Sequence, residues 1–207
     1  MFDKVPKTQR DAIWRAFGDI RIMALKVSSA ADDAPASEKS WPRAIYEIFK
    51  ALGIRQVPYV PDGGHAELIE LIHADGEIKP LTLTTEEEGI AVLAGAWLGG
   101  QRGALLMQSS GVGNCVNMLS LVKTCRFPFF TLVTMRGEWG EFNPWQVPMA
   151  STSQSALELM DVRVLRVRRR EEVAETVSAG AQMAFLGGTP TAVLLSQELV
   201  GNKVFVK

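Results

Sequence analysis

From Trp41 onward, apolar residues fall alternately into short continuous runs and into longer stretches at helical spacing. Trp41 to Leu52 has helical period, with Ser40 as N-cap and Pro42 at the first helical position. Gly53 closes it, and Ile54 to Val60 reads as a strand running into the turn Pro61-Asp62-Gly63-Gly64. The pattern then predicts a helix at Ala66–Ala74, a strand at Lys79–Leu83, a helix at Thr85–Gly99 and a buried strand at Ala104–Gln108. A helix from about Gly113 to Thr124 and a strand at Phe129–Thr134 follow. Beyond a long loop come a helix near Ser155, a strand at Val162–Val167, a helix at Glu171–Phe185 and a strand at Thr191–Leu195. Such alternation predicts parallel βαβ units, and continuous apolar strands predict a sheet covered on both faces.

The first forty residues differ. Asp11 to Leu25 could form an amphipathic helix, and Ser28 to Ser37 is small and polar, as linkers are. Residues 1–40 therefore read as an arm and linker, and residues 41–207 as the domain.

Composition narrows the class. An apolar share of 47% and a charged share of 22% suit a soluble globular chain, and a net charge of −1 offers nothing to nucleic acid or an acidic membrane. No apolar run approaches the roughly 20 residues that cross a bilayer, and the charged N-terminus lacks a signal peptide, so the expected compartment is the cytoplasm. Cys115 and Cys125 sit among apolar residues and read as reduced core thiols.

In a doubly covered parallel sheet, ligands bind beyond the carboxyl ends of the strands. Four loops there are rich in glycine or polar groups: Pro61–His65, Thr84–Glu88, Gln108–Asn114 and Met135–Met149. Thr85 and Glu88 have the spacing of a capping box, and Glu87 complements the helix dipole. Glu86 instead falls in line with Ile90, Leu93 and Trp97 on a face that must be buried, where a carboxylate needs a partner or a task. Gln108-Ser109-Ser110-Gly111-Val112-Gly113-Asn114 is either a tight strand-to-helix turn or a close approach to a ligand ring; Val116 denies it the third glycine of a dinucleotide fingerprint. Arg136 could grip an anionic substrate through two parallel hydrogen bonds, or pair with Glu138 or Glu141. His65 could donate a proton or hydrogen-bond to backbone. Arg168-Arg169-Arg170 is followed at once by Glu171 and Glu172 and reads as the solvated start of a helix.

Taken together, Glu86-Glu87-Glu88-Gly89, Ala94-Gly95-Ala96, Met107 to Asn114, Arg136-Gly137, Gly140 to Pro144, Gln146 to Met149 and Ala192 to Gln197 resemble the alpha subunit of sulfopyruvate decarboxylase. They are also similar to the N-terminal domain of phosphonopyruvate decarboxylase. The resemblance spans roughly residues 42–201. It implies a three-layer αβα fold with a mainly parallel sheet, the pyrimidine-binding domain of thiamine-diphosphate enzymes. It also implies a role for Glu86: a glutamate nine positions before a helix glycine, here Gly95, hydrogen-bonds N1′ of the aminopyrimidine and promotes the imino tautomer that deprotonates the thiazolium C2. By the same resemblance Ser110, Gly111, Gly113 and Asn114 lie near the cofactor, Gln108, Arg136 and Gln146 near the substrate, and His65 in the same pocket as proton donor or anchor. The expected reaction is decarboxylation of a 2-oxo acid to CO2 and an aldehyde.

The superfamily holds the diphosphate and Mg2+ with a Gly-Asp-Gly segment and a downstream Asn on a second domain. This chain has no Gly-Asp-Gly, so a beta subunit is expected to carry the diphosphate-binding domain and most of the metal site. A regulatory or binding subunit of the same fold, or a thiamine-dependent carboligase subunit, is the alternative reading.

Overall fold

The computed structural model describes residues 40–201. The arm, with its expected helix at Asp11–Leu25 and its linker, lies outside the described residues. Chain order is α1 (Trp41–Ala51), β1 (Ile54–Tyr59), a 3-10 turn (Gly63–His65), α2 (Ala66–His73), β2 (Lys79–Thr82), α3 (Glu86–Leu98), β3 (Arg102–Gly103) and β4 (Leu105–Gln108). Then come α4 (Ser109–Cys115), α5 (Leu119–Cys125), β5 (Phe130–Thr134), a 3-10 turn (Pro144–Gln146), α6 (Val147–Leu159), β6 (Arg163–Val167), a 3-10 turn (Arg170–Glu172), α7 (Val173–Phe185), β7 (Thr191–Leu195) and α8 (Gln197–Val200).

All strand pairs are parallel, in the order β2-β1-β4-β5-β7-β6, with the short β3 also paired to β1. Alternate strand residues feed two cores. Val57, Leu106, Leu132 and Val193 meet Ile45 and Phe49 of α1, Leu68 of α2 and Val177 of α7 on one face. Leu105, Met107, Val133 and Leu194 meet Ile90 of α3, Val112 of α4, Leu119 of α5 and Leu157 of α6 on the other. The result is the expected three-layer αβα arrangement.

The strand order matters for the site. The chain leaves β1 toward the α2 layer, whereas it leaves β4 toward the α4 layer, on the opposite face. Loops that diverge from adjacent strands open a crevice at the carboxyl edge, the switch point where α/β sheets bind ligands.

Local chemistry explains the boundaries and three departures from expectation. Ser40 caps α1 as expected, accepting from Arg43 N at 3.3 Å, and Gly53 takes the positive φ of 65° that ends it. At α3 the expected capping box does not form: the Thr85 side chain makes no cap bond, and Glu88 Oε2 reaches past the cap to accept from Thr84 N at 2.9 Å. The helix expected over Gly113–Thr124 begins earlier, at Ser109, and breaks between Cys115 and Leu119. Val116 and Asn117 are poor helix formers, and Ser120 N and Leu121 N bond three residues back across the break. Cys115 is buried as expected; Cys125 is exposed, because it closes α5 beside Arg126, whose left-handed φ of 54° turns the chain outward. The three arginines at 168–170 do start a helix on the surface, with Arg169 Nε bonded to Glu172 at 2.8 Å.

Candidate active site

Glu86 is the first residue of α3, yet only 8% exposed. The helix face set by Ile90 and Leu93 turns it inward against the start of α4. Asn114 Nδ2 donates to Glu86 Oε2 at 2.9 Å, the one hydrogen bond this carboxylate receives among the described residues. Its Oε1 faces Gly111, where a Cβ would lie 2.4 Å from that oxygen. Glycine at 111 is thus required by close approach, and an otherwise weak Gly-x-Gly signal acquires a reason. Beside them, Ser110, Gly113, Asn114, Trp145, Pro148 and Met149 line a cleft of about 490 Å³. Cys115 lies behind the acid; burial, with the charges of Glu86 and Glu87, pushes its thiol up to about 12, so it stays protonated.

A second set of side chains meets at the switch point. Asp62, in the turn after β1, accepts from Gln108 Nε2 at 2.8 Å on Oδ1, and from Thr134 Oγ1 at 2.6 Å and Gly64 N at 3.1 Å on Oδ2. Ser110 Oγ donates to Gln108 Oε1 at 3.1 Å. Asp62 and Thr134 were not singled out from the sequence, where Asp in Pro-Asp-Gly-Gly reads only as a turn former. The available signal was positional: Asp62 lies in the turn after β1 and Thr134 ends β5, so both stand at the carboxyl edge of the sheet.

Not every expected site residue converges on the cleft. His65 is fully enclosed, its ring set against Asp62 and the backbone of Met107 and Leu132. Burial lowers its pKa against the opposing pull of Asp62, so the ring is held neutral. The expected proton donor is therefore withdrawn from solvent and does not line the cleft, because the 3-10 turn Gly63–His65 folds the ring inward. Of the two readings open for Arg136, the ion pair holds. Its Nε and one terminal nitrogen reach Glu141 at 2.7 and 2.8 Å, a bidentate pair with side chains 8% and 2% exposed. Glu141 also accepts from Asn143 N and Gln197 Nε2, each at 3.0 Å, and its carboxyl is lowered to about 2, chiefly by Arg136. Arg136 therefore braces the loop after β5. Gln146 closes the 3-10 turn of the same loop; its backbone carbonyl packs on Gly137, whose φ of 87° and lack of Cβ permit it. Its Oε1 is buried without a hydrogen bond. The loop leaves Trp139, Phe142 and Trp145 exposed, at 57%, 59% and 80%.

Among the described residues, no helix is long and apolar enough to cross a membrane, and no cluster of three or more His, Cys, Asp or Glu could hold a metal ion.

No family model matches the sequence. The chain is 35% identical over 153 residues to the sulfopyruvate decarboxylase subunit alpha of Methanothermobacter thermautotrophicus, covering 73% of this chain and 93% of the relative. It is 31% identical over 153 residues to the same subunit of Methanococcus maripaludis, covering 73% and 92%. Phosphonopyruvate decarboxylase of Streptomyces viridochromogenes is 39% identical over 155 residues, which span 73% of this chain and 39% of that protein. Among solved structures, a chain of 2-oxoglutarate:ferredoxin oxidoreductase from Magnetococcus marinus shares the fold with a TM-score of 0.58 and 14% identity, covering 78% of this chain and 29% of that one. A relative covered almost end to end at this identity fixes descent: the chain belongs to the family of sulfopyruvate decarboxylase alpha subunits.

Proposed function

We propose that this chain is the alpha subunit of a heteromeric, thiamine-diphosphate-dependent decarboxylase of sulfopyruvate- or phosphonopyruvate-type 2-oxo acids. The observation that carries the reading is Glu86, a buried carboxylate bonded to Asn114 of the cleft wall, given one amide hydrogen bond where most buried carboxylates take several. Such an acid is poised to meet a ring nitrogen from a ligand. Gly111, without a side chain, lets that carboxylate lie directly against the backbone of α4.

These residues fit the aminopyrimidine end of thiamine diphosphate. Glu86 would take N1′, with Gly111 making room for the acid and Gly113, Ser110 and Asn114 at the ring's rim. When bound, the cofactor supplies the electron sink into which the scissile bond's electrons pass as CO2 leaves. The task of this chain is to hold and move one proton at Glu86, in surroundings dry enough for that hydrogen bond to be strong. Asn114 fixes the carboxylate's rotation, and Met149 and Trp145 limit water at the cleft.

The diphosphate and Mg2+ fall to the partner, since this sequence has no Gly-Asp-Gly segment. The exposed Trp145 on the cleft wall, with Trp139 elsewhere on the same loop, gives that partner apolar surface. The test is reconstitution. The chain plus its beta subunit should decarboxylate a 2-oxo acid, and Glu86→Gln should lower kcat by about 100- to 10,000-fold with assembly intact. Undiminished turnover in that variant would return the chain to the regulatory-subunit reading.

A further inference from the structure

Three facts at the crevice combine into a consequence for specificity. Asp62 is used purely as an acceptor, taking one hydrogen bond on Oδ1 and two on Oδ2. A carboxylate offers Gln108 no proton, so the amide must turn its NH2 toward Asp62 and its Oε1 the other way. Ser110 then meets a carbonyl oxygen and spends its single hydroxyl proton on it. Ser110 lines the cleft, and toward the cleft it has only lone pairs left. Glu86 acts on Asn114 in the same sense: drawing Nδ2 to itself, it turns Oδ1 away, on a residue that also lines the cleft.

We infer that Asp62 is a positioning residue which, through the Gln108 amide, fixes Ser110 as a hydrogen-bond acceptor, so that this wall selects a ligand group bearing N–H or O–H donors and rejects an anion. The inference rests on reading the cleft as the ligand site. It deepens that reading by excluding the anionic tail of the 2-oxo acid from this wall. Gln108, expected from the sequence as a substrate contact, becomes the middle of a relay.

The relay has a direction, and one substitution should reverse it. In Asp62→Asn the new amide oxygen takes over Gly64 N and Thr134 Oγ1, leaving its NH2 to face Gln108. The Gln108 amide turns over, Ser110 receives a hydrogen bond in place of giving one, and its proton points into the cleft. Gln108→Glu alone sets two carboxylates against each other. The double variant Asp62→Asn/Gln108→Glu restores the original sense: the introduced amide donates to one oxygen of the introduced carboxylate, and Ser110 donates to the other.

The experiment compares 4-aminopyrimidine, a donor probe, with acetate, an acceptor probe. Both are titrated into the full chain, with the Trp145 indole N–H followed by NMR. The wild type should favour 4-aminopyrimidine, Asp62→Asn should shift the ratio of the two affinities toward acetate by about tenfold, and the double variant should recover it to within about threefold. Ser110→Ala should lose the discrimination while melting like the wild type. The proposal is overturned if the wild type binds neither probe, if Asp62→Asn leaves the ratio unchanged, or if the double variant is no better than the worse single one. In the complex with its beta subunit, kcat/KM should follow the same order. If no 2-oxo acid is turned over by any variant, the decarboxylase reading fails, and the probe ratios still decide the relay.

Discussion

Two buried carboxylates stand near the carboxyl edge of the same sheet, and they are treated in opposite ways. Glu141 receives a bidentate arginine and a backbone N–H from its own loop and a glutamine amide from α8, four hydrogen bonds in all. Glu86, itself buried, receives one among the described residues, from Asn114. A buried charge costs several kcal/mol unless its surroundings repay it. At Glu141 the repayment is complete within the chain, so that acid serves the fold. At Glu86 it is left open, and what is missing is what a ligand can bring. Arg136 shows why residue type alone misleads: a bidentate guanidinium is as good a structural brace as a substrate clamp.

The contrast can be broken most forcefully at Glu141. Glu141→Ala leaves Arg136 buried and unpaired, and should cost about 3–5 kcal/mol in urea unfolding at unchanged slope. Next comes Gly111→Ala. Its methyl would sit 2.4 Å from the Glu86 carboxyl, so about 1–3 kcal/mol of stability should go, and with it the activity of the complex, because Glu86 is driven out of line. Acid titration sharpens the comparison further. His65 has a folded pKa below its usual 6.5, so its contribution is whole above that value and is lost as pH falls below it. Glu141, at about 2 against an ordinary 4.5, contributes in full above 4.5 and is lost between 4.5 and 2. Stability should therefore decline in two limbs, and Glu141→Ala should make the lower one shallower without touching the upper; what remains of the lower limb belongs chiefly to Asp75, whose carboxyl Lys50 and Tyr46 also hold low. Smallest of all should be the stability effect of Glu86→Gln: within about 1 kcal/mol of wild type, with the sign toward stabilisation, since Asn114 can still donate to the amide oxygen. An acid that the reaction needs and the fold does not is the signature being tested.

The element pattern was readable because burial on both faces forces continuous apolar strands and helices of fixed period, as at Thr191–Leu195, whose limits agree in sequence and structure. Boundaries shifted where side chains decide, as at Thr85, which fails to cap, and at Val116 and Asn117, where a long helix breaks. The short β3 and α8 carry too few residues to leave a periodic trace.

For the site, the sequence by itself determined that an acid at position 86 shares a face with Ile90 and Leu93, because helical spacing alone carries it inward. It also determined the family, through motifs in a fixed order. Only the tertiary structure decided that Asp62 reaches Gln108 across 46 positions, that His65 is sealed off and that Arg136 belongs to Glu141. The reason is physical: periodicity tells which way a side chain points, whereas its partner depends on how strands far apart in the chain come to lie side by side.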